Sequence, residues 1–230
     1  FWNNHDQPRA INRFGDPGRY RVESATMLAT VIHLLRGTPF VYMGEEIGMT
    51  DPDYETISDY VDVEAHNAFA SLMETGRSER EAFAIVHGKA RDNARTPMQW
   101  DSGRTAGFTN GTPWLRSTNQ ARINVADEEA EGRILPYYRR LIALRKGQPV
   151  ISRGRYLPYA MDHPEVFAYI REHGGQRLLV LTNFRAKQAE IEIPLDFTEG
   201  SILISNYPER TLDSTIRLEP YEALAILISN

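Results

Sequence analysis

A chain of 230 residues with 41% hydrophobic content has material for one large core or two modest ones. Its net charge of −5 argues against nucleic acid as a partner, because phosphate recognition needs a basic face. The absence of cysteine removes disulfides, thiolate nucleophiles and cysteine metal sites, and no apolar run reaches the roughly eighteen residues of a membrane span; both features fit a cytoplasmic protein.

The chain opens on Phe1-Trp2-Asn3-Asn4-His5-Asp6-Gln7-Pro8-Arg9. An apolar approach ending in a His-Asp pair is how a strand delivers polar groups to the rim of a sheet or barrel. Pro8 holds Gln7 extended and keeps a helix from starting before it. No second His or carboxylate follows at ligand spacing, so no metal and no cofactor is expected here. The start at Phe1, without Met and already inside this motif, reads as a piece of a longer chain.

Gly15, Pro17 and Gly18 mark a turn. Val22, Ala25, Leu28, Ala29, Ile32 and Leu35 then recur at three- and four-residue steps, which predicts a helix from Tyr20 to about Arg36. Gly37 closes it, and Thr38-Pro39-Phe40-Val41-Tyr42 reads as a buried strand leading into a loop at Gly44-Glu45-Glu46-Ile47-Gly48-Met49. Strand end, helix, strand is half of a repeating α/β layout. Glu45 and Glu46 are a tempting acid pair. Adjacent strand residues point to opposite faces, however, whereas two catalytic carboxyls must converge on one centre, so the pair is read as structural.

From Thr50 to Ala126 the chain is polar and broken, with one predicted helix near Ser78–Gly88. Long irregular stretches inside compact domains are usually functional. Phe108 and Trp114 are expected to anchor the glycine-rich part of it. Ile134, Leu135, Tyr138, Leu141 and Ile142 give another amphipathic helix, closed by Lys146-Gly147. Beyond Gln148 short apolar runs alternate with turn residues: Val166–Ile170, Leu178–Leu181, Glu190–Ile193, Ile202–Ile204, Ile216–Leu218 and Ala223–Leu227. This texture predicts a small antiparallel β domain over residues 149–230. Residues 1–148 hold only two strand candidates. A whole (β/α)8 barrel needs about 250 residues, so this part is the closing section of a barrel or a smaller fold.

Three runs are specific in combination: Asn4-His5-Asp6-Gln7-Pro8-Arg9 with Arg13-Phe14-Gly15-Asp16, Gly37-Thr38-Pro39-Phe40-Val41-Tyr42 with Gly44-Glu45-Glu46-Ile47-Gly48-Met49-Thr50, and Arg91-Asp92-Asn93-Ala94-Arg95-Thr96-Pro97-Met98-Gln99-Trp100. Ala106-Gly107-Phe108-Thr109 and Ile123-Asn124-Val125 extend the match. Together they resemble the α-amylase superfamily of glycoside hydrolases, in the branch of oligo-1,6-glucosidases, α-glucosidases and trehalose-6-phosphate hydrolases. The resemblance runs along the whole chain but covers only the C-terminal part of such an enzyme. It implies the last two βα units of a TIM barrel, followed by an antiparallel β-sandwich.

The resemblance also implies a function. Enzymes of this branch are retaining glycosidases that release glucose from the non-reducing end of short α-glucosides of the isomaltose, maltose or trehalose-6-phosphate type. Of their three acidic residues, only the one that binds and distorts the sugar has a counterpart here, and it is Asp6. The nucleophile and general acid would lie upstream, leaving the 230-residue piece inactive alone. An oxocarbenium-like transition state flattens the ring, and a carboxylate gripping the adjacent hydroxyls favours that shape.

By the same resemblance His5 shares those hydroxyls, Arg91 reaches the 4-hydroxyl and helps close the pocket, and Glu64 touches the leaving sugar. Arg95 is read as a brace of the loop. The expected partners are the sugar substrate and the missing N-terminal barrel section, with neither nucleic acid nor membrane. Met43 and Val61 depart from the Gln and Arg that many relatives carry, near loops that bear on substrate choice. Of Trp2, Phe14, Trp100, Phe108 and Trp114, at most one is assigned to stacking on sugar. An unclosed barrel would also leave the isolated chain poorly stable, since strand edges and helix-facing surfaces would be exposed. The alternative is a non-catalytic scaffold or binding subunit of the same fold, which has no need of a sugar grip such as His5, Asp6 and Arg91.

Overall fold

The computed structural model describes residues 2–208 and 210–229, so Phe1, where the predicted strand end begins, lies outside the described residues. The chain divides into two compact units, Phe1–Arg13 with Val41–Gly132 and Phe14–Phe40 with Arg133–Asn230. Helices from both sides of the 148/149 boundary therefore group with the β region.

In the first unit a short helix α1 (Ala10–Phe14) follows the opening turn. A 3-10 turn at Glu45–Ile47 comes next in the unit, entered through Gly44 at φ 90°. The stretch read as broken holds three helices, α3 (Val63–Glu74), α4 (Glu79–His87) and α5 (Asp92–Arg95), and the start of a fourth, α6 (Val125–Ala130). The predicted Ser78–Gly88 helix is α4, started by a reciprocal box in which Ser78 Oγ accepts from the Glu81 amide and the Glu81 carboxylate accepts from the Ser78 amide. The α3 helix was missed because its apolar face is short. Ala65, Phe69 and Leu72 pack with Tyr54, Tyr60, Val86 and Phe83 in a small core. A second small core joins Ile47, Met49, Met98 and Ile123.

In the second unit α2 (Arg21–Leu34) and α7 (Ile134–Gly147) occupy the two long predicted helices. Helix α2 is buried nearly all round, beyond the single face the periodicity suggested. Its threonines make this tolerable, since Thr26 and Thr30 return their hydroxyls to the carbonyls of Val22 and Thr26, each at 2.7 Å. Thr30 also meets the Tyr137 hydroxyl at 2.8 Å, tying α2 to α7.

After a short helix α8 (Pro149–Ser152) come β1 (Arg155–Tyr159), β2 (Val166–His173), β3 (Gln176–Asn183), β4 (Ala189–Glu192), β5 (Ser201–Ser205), β6 (Thr215–Leu218) and β7 (Ala223–Ser229). Five strands pair antiparallel in the order β1-β2-β3-β7-β5, and β4 pairs with β6. The six predicted strands are all present. The seventh, β1, was hidden by Pro158, a residue confined to edges such as this one. Gly174 and Gly175, at φ 58° and 78°, make the two-residue turn between β2 and β3. Inward residues of both sheets, including Ile170, Leu179, Ile191, Ile216, Leu218 and Ile226, share one core with the fully buried Phe197, so the sheets pack face to face as a sandwich.

Two expectations fail. Neither the opening segment nor Thr38–Tyr42 is a strand, and Phe40, predicted buried, is 85% exposed. A strand exists through its ladder to a neighbour. Among the described residues neither segment has one, so neither of the two expected barrel strands is formed here.

Candidate functional site

The opening turn is held from within. The Asp6 amide donates to Asn4 Oδ1 at 2.8 Å, a local turn that presents the side chains of His5 and Asp6 at the surface. Asn3 closes the base of the turn. Its Oδ1 accepts from the Ala10 amide at 2.7 Å and its Nδ2 donates to Glu45 Oε2 at 2.5 Å. His5 Nε2 lies 3.2 Å from Asp6 Oδ2.

The opposite wall is built on α5 and the start of α3. Asp92 is fully buried, and its Oδ2 accepts from the amides of Val61 and Asp62 at 2.9 and 2.8 Å. That fixes residue 62, whose side chain caps α3 by accepting from the Glu64 amide. Asp62 then receives a two-pronged bond from Arg91, Nε to Oδ2 at 2.7 Å and Nη2 to Oδ1 at 2.8 Å. The same guanidinium reaches Glu64 Oε2 at 3.0 Å and approaches Asp6 Oδ1 at 4.0 Å. Arg95 crosses between the walls, donating from Nε to the His5 carbonyl at 2.8 Å and from Nη2 to Asp6 Oδ1 at 2.9 Å.

The four residues singled out from the sequence, His5, Asp6, Glu64 and Arg91, therefore meet in one cluster. Asp62 and Asp92, which hold the Arg91 side of it, and Asn3 and Glu45, which hold the base of the His5–Asp6 turn, were passed over. Asp62 stood before a run with helical spacing and so carried a capping signal, and Asn3 stood beside the motif. Nothing in the sequence marked Asp92, because its partners are backbone amides thirty residues away.

The charges in this cluster are uneven. Four carboxylates (Asp6, Asp62, Glu64 and Asp92) face two guanidiniums, and Arg91 spends two of its donor atoms on Asp62. Hydrogen bonding from Arg91 holds the Asp62 carboxyl below its ordinary range, and the same bond raises Arg91. Behind the turn, burial pushes Glu45 up to about 7 against the opposing bonds from Asn3 and the Tyr42 backbone, and pushes Asp51 up to about 6. Among the described residues no group of three or more His, Asp or Glu side chains is arranged to hold a metal ion.

What the surface can do follows from this set. A carboxylate and an imidazole sit side by side on an exposed turn, with a rigid donor fork a few ångströms away. Such a set suits a polyhydroxylated ligand, whose hydroxyls both donate and accept. Trp100, Phe108 and Trp114 stand exposed in the same unit, and Val61 is exposed beside Asp62.

Residues 1–154 match the family model described as "Alpha amylase, catalytic domain", and residues 166–224 match "Alpha-amylase SusG C-terminal domain". The chain is 45% identical to an oligo-1,6-glucosidase of Halalkalibacterium halodurans, with all of this chain aligned to 42% of that protein. It is 41% identical to a trehalose-6-phosphate hydrolase of Bacillus subtilis, over 97% of this chain and 41% of that one. The crystal structure of Bacillus licheniformis trehalose-6-phosphate hydrolase superposes with a TM-score of 0.93 at 41% identity, covering all of this chain and 43% of that one. The chain thus spans about two-fifths of the length of the relatives it matches.

Proposed function

Since the chain belongs to the α-amylase family of glycoside hydrolases, we propose that it is the C-terminal part of a retaining α-glucosidase-type enzyme that releases glucose from the non-reducing end of short α-glucosides. Asp6 is the carboxylate that grips two ring hydroxyls in the flattened transition state, His5 shares them, Arg91 reaches the next hydroxyl, and Glu64 meets the leaving sugar. The carrying observation is the convergence of these four side chains, from three separate stretches of sequence, on one exposed cluster.

The nucleophile and general acid are supplied by an upstream section, so this piece alone is inactive and needs that section as its partner. In the longer protein the segments at residues 2–6 and 38–42 become the last two barrel strands, because neighbours then complete their ladders. Residues 1–148 form the end of the catalytic barrel and 149–230 the C-terminal β domain. The enzyme works in the cytoplasm on isomaltose-, maltose- or trehalose-6-phosphate-type substrates and needs no cofactor.

The test is Asp6→Asn in the longer enzyme, assayed on isomaltose, maltose and trehalose 6-phosphate. A group that acts mainly in the transition state should cost about a hundredfold or more in kcat, with a smaller change in KM. Wild-type turnover on every substrate would remove the proposed role. An upstream sequence lacking both acids would favour the scaffold instead.

A further inference from the structure

The Asn3–Glu45 contact lies behind the sugar-binding cluster and is used by none of the steps above. The turn that carries His5 and Asp6 begins at Asn3 and ends at Ala10, and one amide side chain spans both ends. Its two halves cannot be exchanged. The Ala10 amide can only donate, so it takes Oδ1, and the Glu45 carboxylate accepts, so it takes Nδ2. Glu45 is itself anchored on a tight turn. Gly44 adopts φ 90°, and a side chain there would collide with Met49 Sδ. The fully buried Arg9 binds this segment a second time, donating from Nη1 to the Met43 carbonyl at 2.5 Å and from its own amide to Asp51 Oδ1 at 2.8 Å. The turn is thus bolted to residues 43–51 at both of its ends.

We infer that Asn3 and Glu45 are a positioning pair, whose donor–acceptor match sets the orientation of the His5–Asp6 turn for sugar binding. This rests on the function proposed above. Neither residue touches substrate; they act through the turn. The pairing fixes the angle at which Asp6 leaves the backbone, and Arg95 fixes the carboxylate from the other side. An error of about an ångström at such a group is worth a large factor in rate. Glu45, which the sequence assigned only a structural part, becomes the anchor of the sugar-gripping acid.

The match is testable because it can be reversed. Assayed above about pH 8, where Glu45 is ionised, Asn3→Asp sets two carboxylates against each other while keeping the acceptor for Ala10. Adding Glu45→Gln restores one donor facing one acceptor, with the direction of the bond inverted. In the longer enzyme Asn3→Asp should lower kcat about a hundredfold with less than a threefold change in KM, and Glu45→Gln alone should lower kcat about three- to tenfold. The double variant should return to the level of Glu45→Gln. A double variant as slow as Asn3→Asp, at an equal melting temperature, overturns the pairing, as does an Asn3→Asp enzyme with normal kcat.

Should Asn3→Asp fail to fold, Asn3→Ala takes its place. The double variant must then exceed Asn3→Ala in kcat by about tenfold, and equal values overturn the inference. Asp6→Asn measured alongside separates the two levels of the argument. If Asp6→Asn is slow and Asn3→Asp is not, only the positioning role falls. If Asp6→Asn is also normal, the sugar-binding reading falls with it.

Discussion

The two compact units are held together by different physics. In the β-sandwich of the second unit, alternating inward residues of both sheets merge into one apolar core, and its buried acid Glu222 is fully matched by Arg210 and the Glu219 amide. The first unit has two small apolar clusters instead, and it buries Arg9, Asp51, Asp62, Asp92, Asn93, Gln99 and Asn119. A buried polar group must find its partner in one geometry, whereas apolar groups pack in many. The candidate site is therefore specified by directional bonds and the sandwich core by volume, the buried His33, Arg171 and Asn183 of the second unit lying outside that apolar core. Directional bonds fix the position of each side chain more narrowly than apolar packing does.

The largest effect is expected at Phe197. Its side chain is fully buried between the sheets. Truncating it to Ala should cost about 3–5 kcal/mol, the transfer free energy of the ring plus the cavity left behind. Hydrogen exchange at β3 and β7 amides reads this, and the loss should be equal at pH 5 and pH 8 because nothing in that core titrates. A loss below about 1 kcal/mol would mean that the sandwich is not held by its packing.

A smaller effect, with the opposite pH behaviour, is expected at Glu45. Its carboxyl is raised to about 7 in the fold, chiefly by burial. A raised carboxyl contributes stability that is complete below its unfolded value and is lost as pH rises through the folded one. Wild type should therefore weaken locally between about pH 4.5 and pH 7, and Glu45→Gln should not. The difference between the two should move in favour of the variant by of order 1–3 kcal/mol from pH 5 to pH 8. Exchange of the Met49 amide, bonded to the Gly44 carbonyl, is the local probe. Because Asp51 titrates in both proteins, it cancels. A difference that stays constant with pH would show that Glu45 is not strained by burial, and the contrast between the units would lose its electrostatic half.

The same division explains what the sequence made legible. Six strands of the sandwich and the helices α2, α4 and α7 could be read from it, since alternation, helical spacing and turn residues act locally. The members of the candidate site, His5, Asp6, Arg91 and Glu64, came from a family resemblance and not from periodicity. What escaped was non-local. Asp92 is defined by the amides of Val61 and Asp62, and Glu45 by Asn3, pairings separated by 31, 30 and 42 positions. The misread strands at the opening and at Thr38–Tyr42 fail for a related reason, because an extended run becomes a strand only when a neighbour completes its ladder.

The smallest test asks whether directional control in the first unit also acts on single elements. Helix α4 begins at Ser78, an exposed residue whose hydroxyl accepts from the Glu81 amide at 3.3 Å while Glu81 Oε2 accepts from the Ser78 amide at 3.0 Å. Ser78→Ala removes one half of this exchange without touching a core, so any loss comes from the cap alone. It should cost about 1 kcal/mol, seen as faster exchange of the first amides of α4. Ser78→Asp, which keeps an acceptor, should cost less. Further along, Phe83 and Val86 pack around Tyr60, whose hydroxyl donates to Asn93 at 3.0 Å. That cluster should stay intact, with the Tyr60 ring signals unshifted. If they shift with Ser78→Ala, the cap and the core of this unit form one cooperative piece, and its polar bonds set the packing as well as the positions of individual side chains.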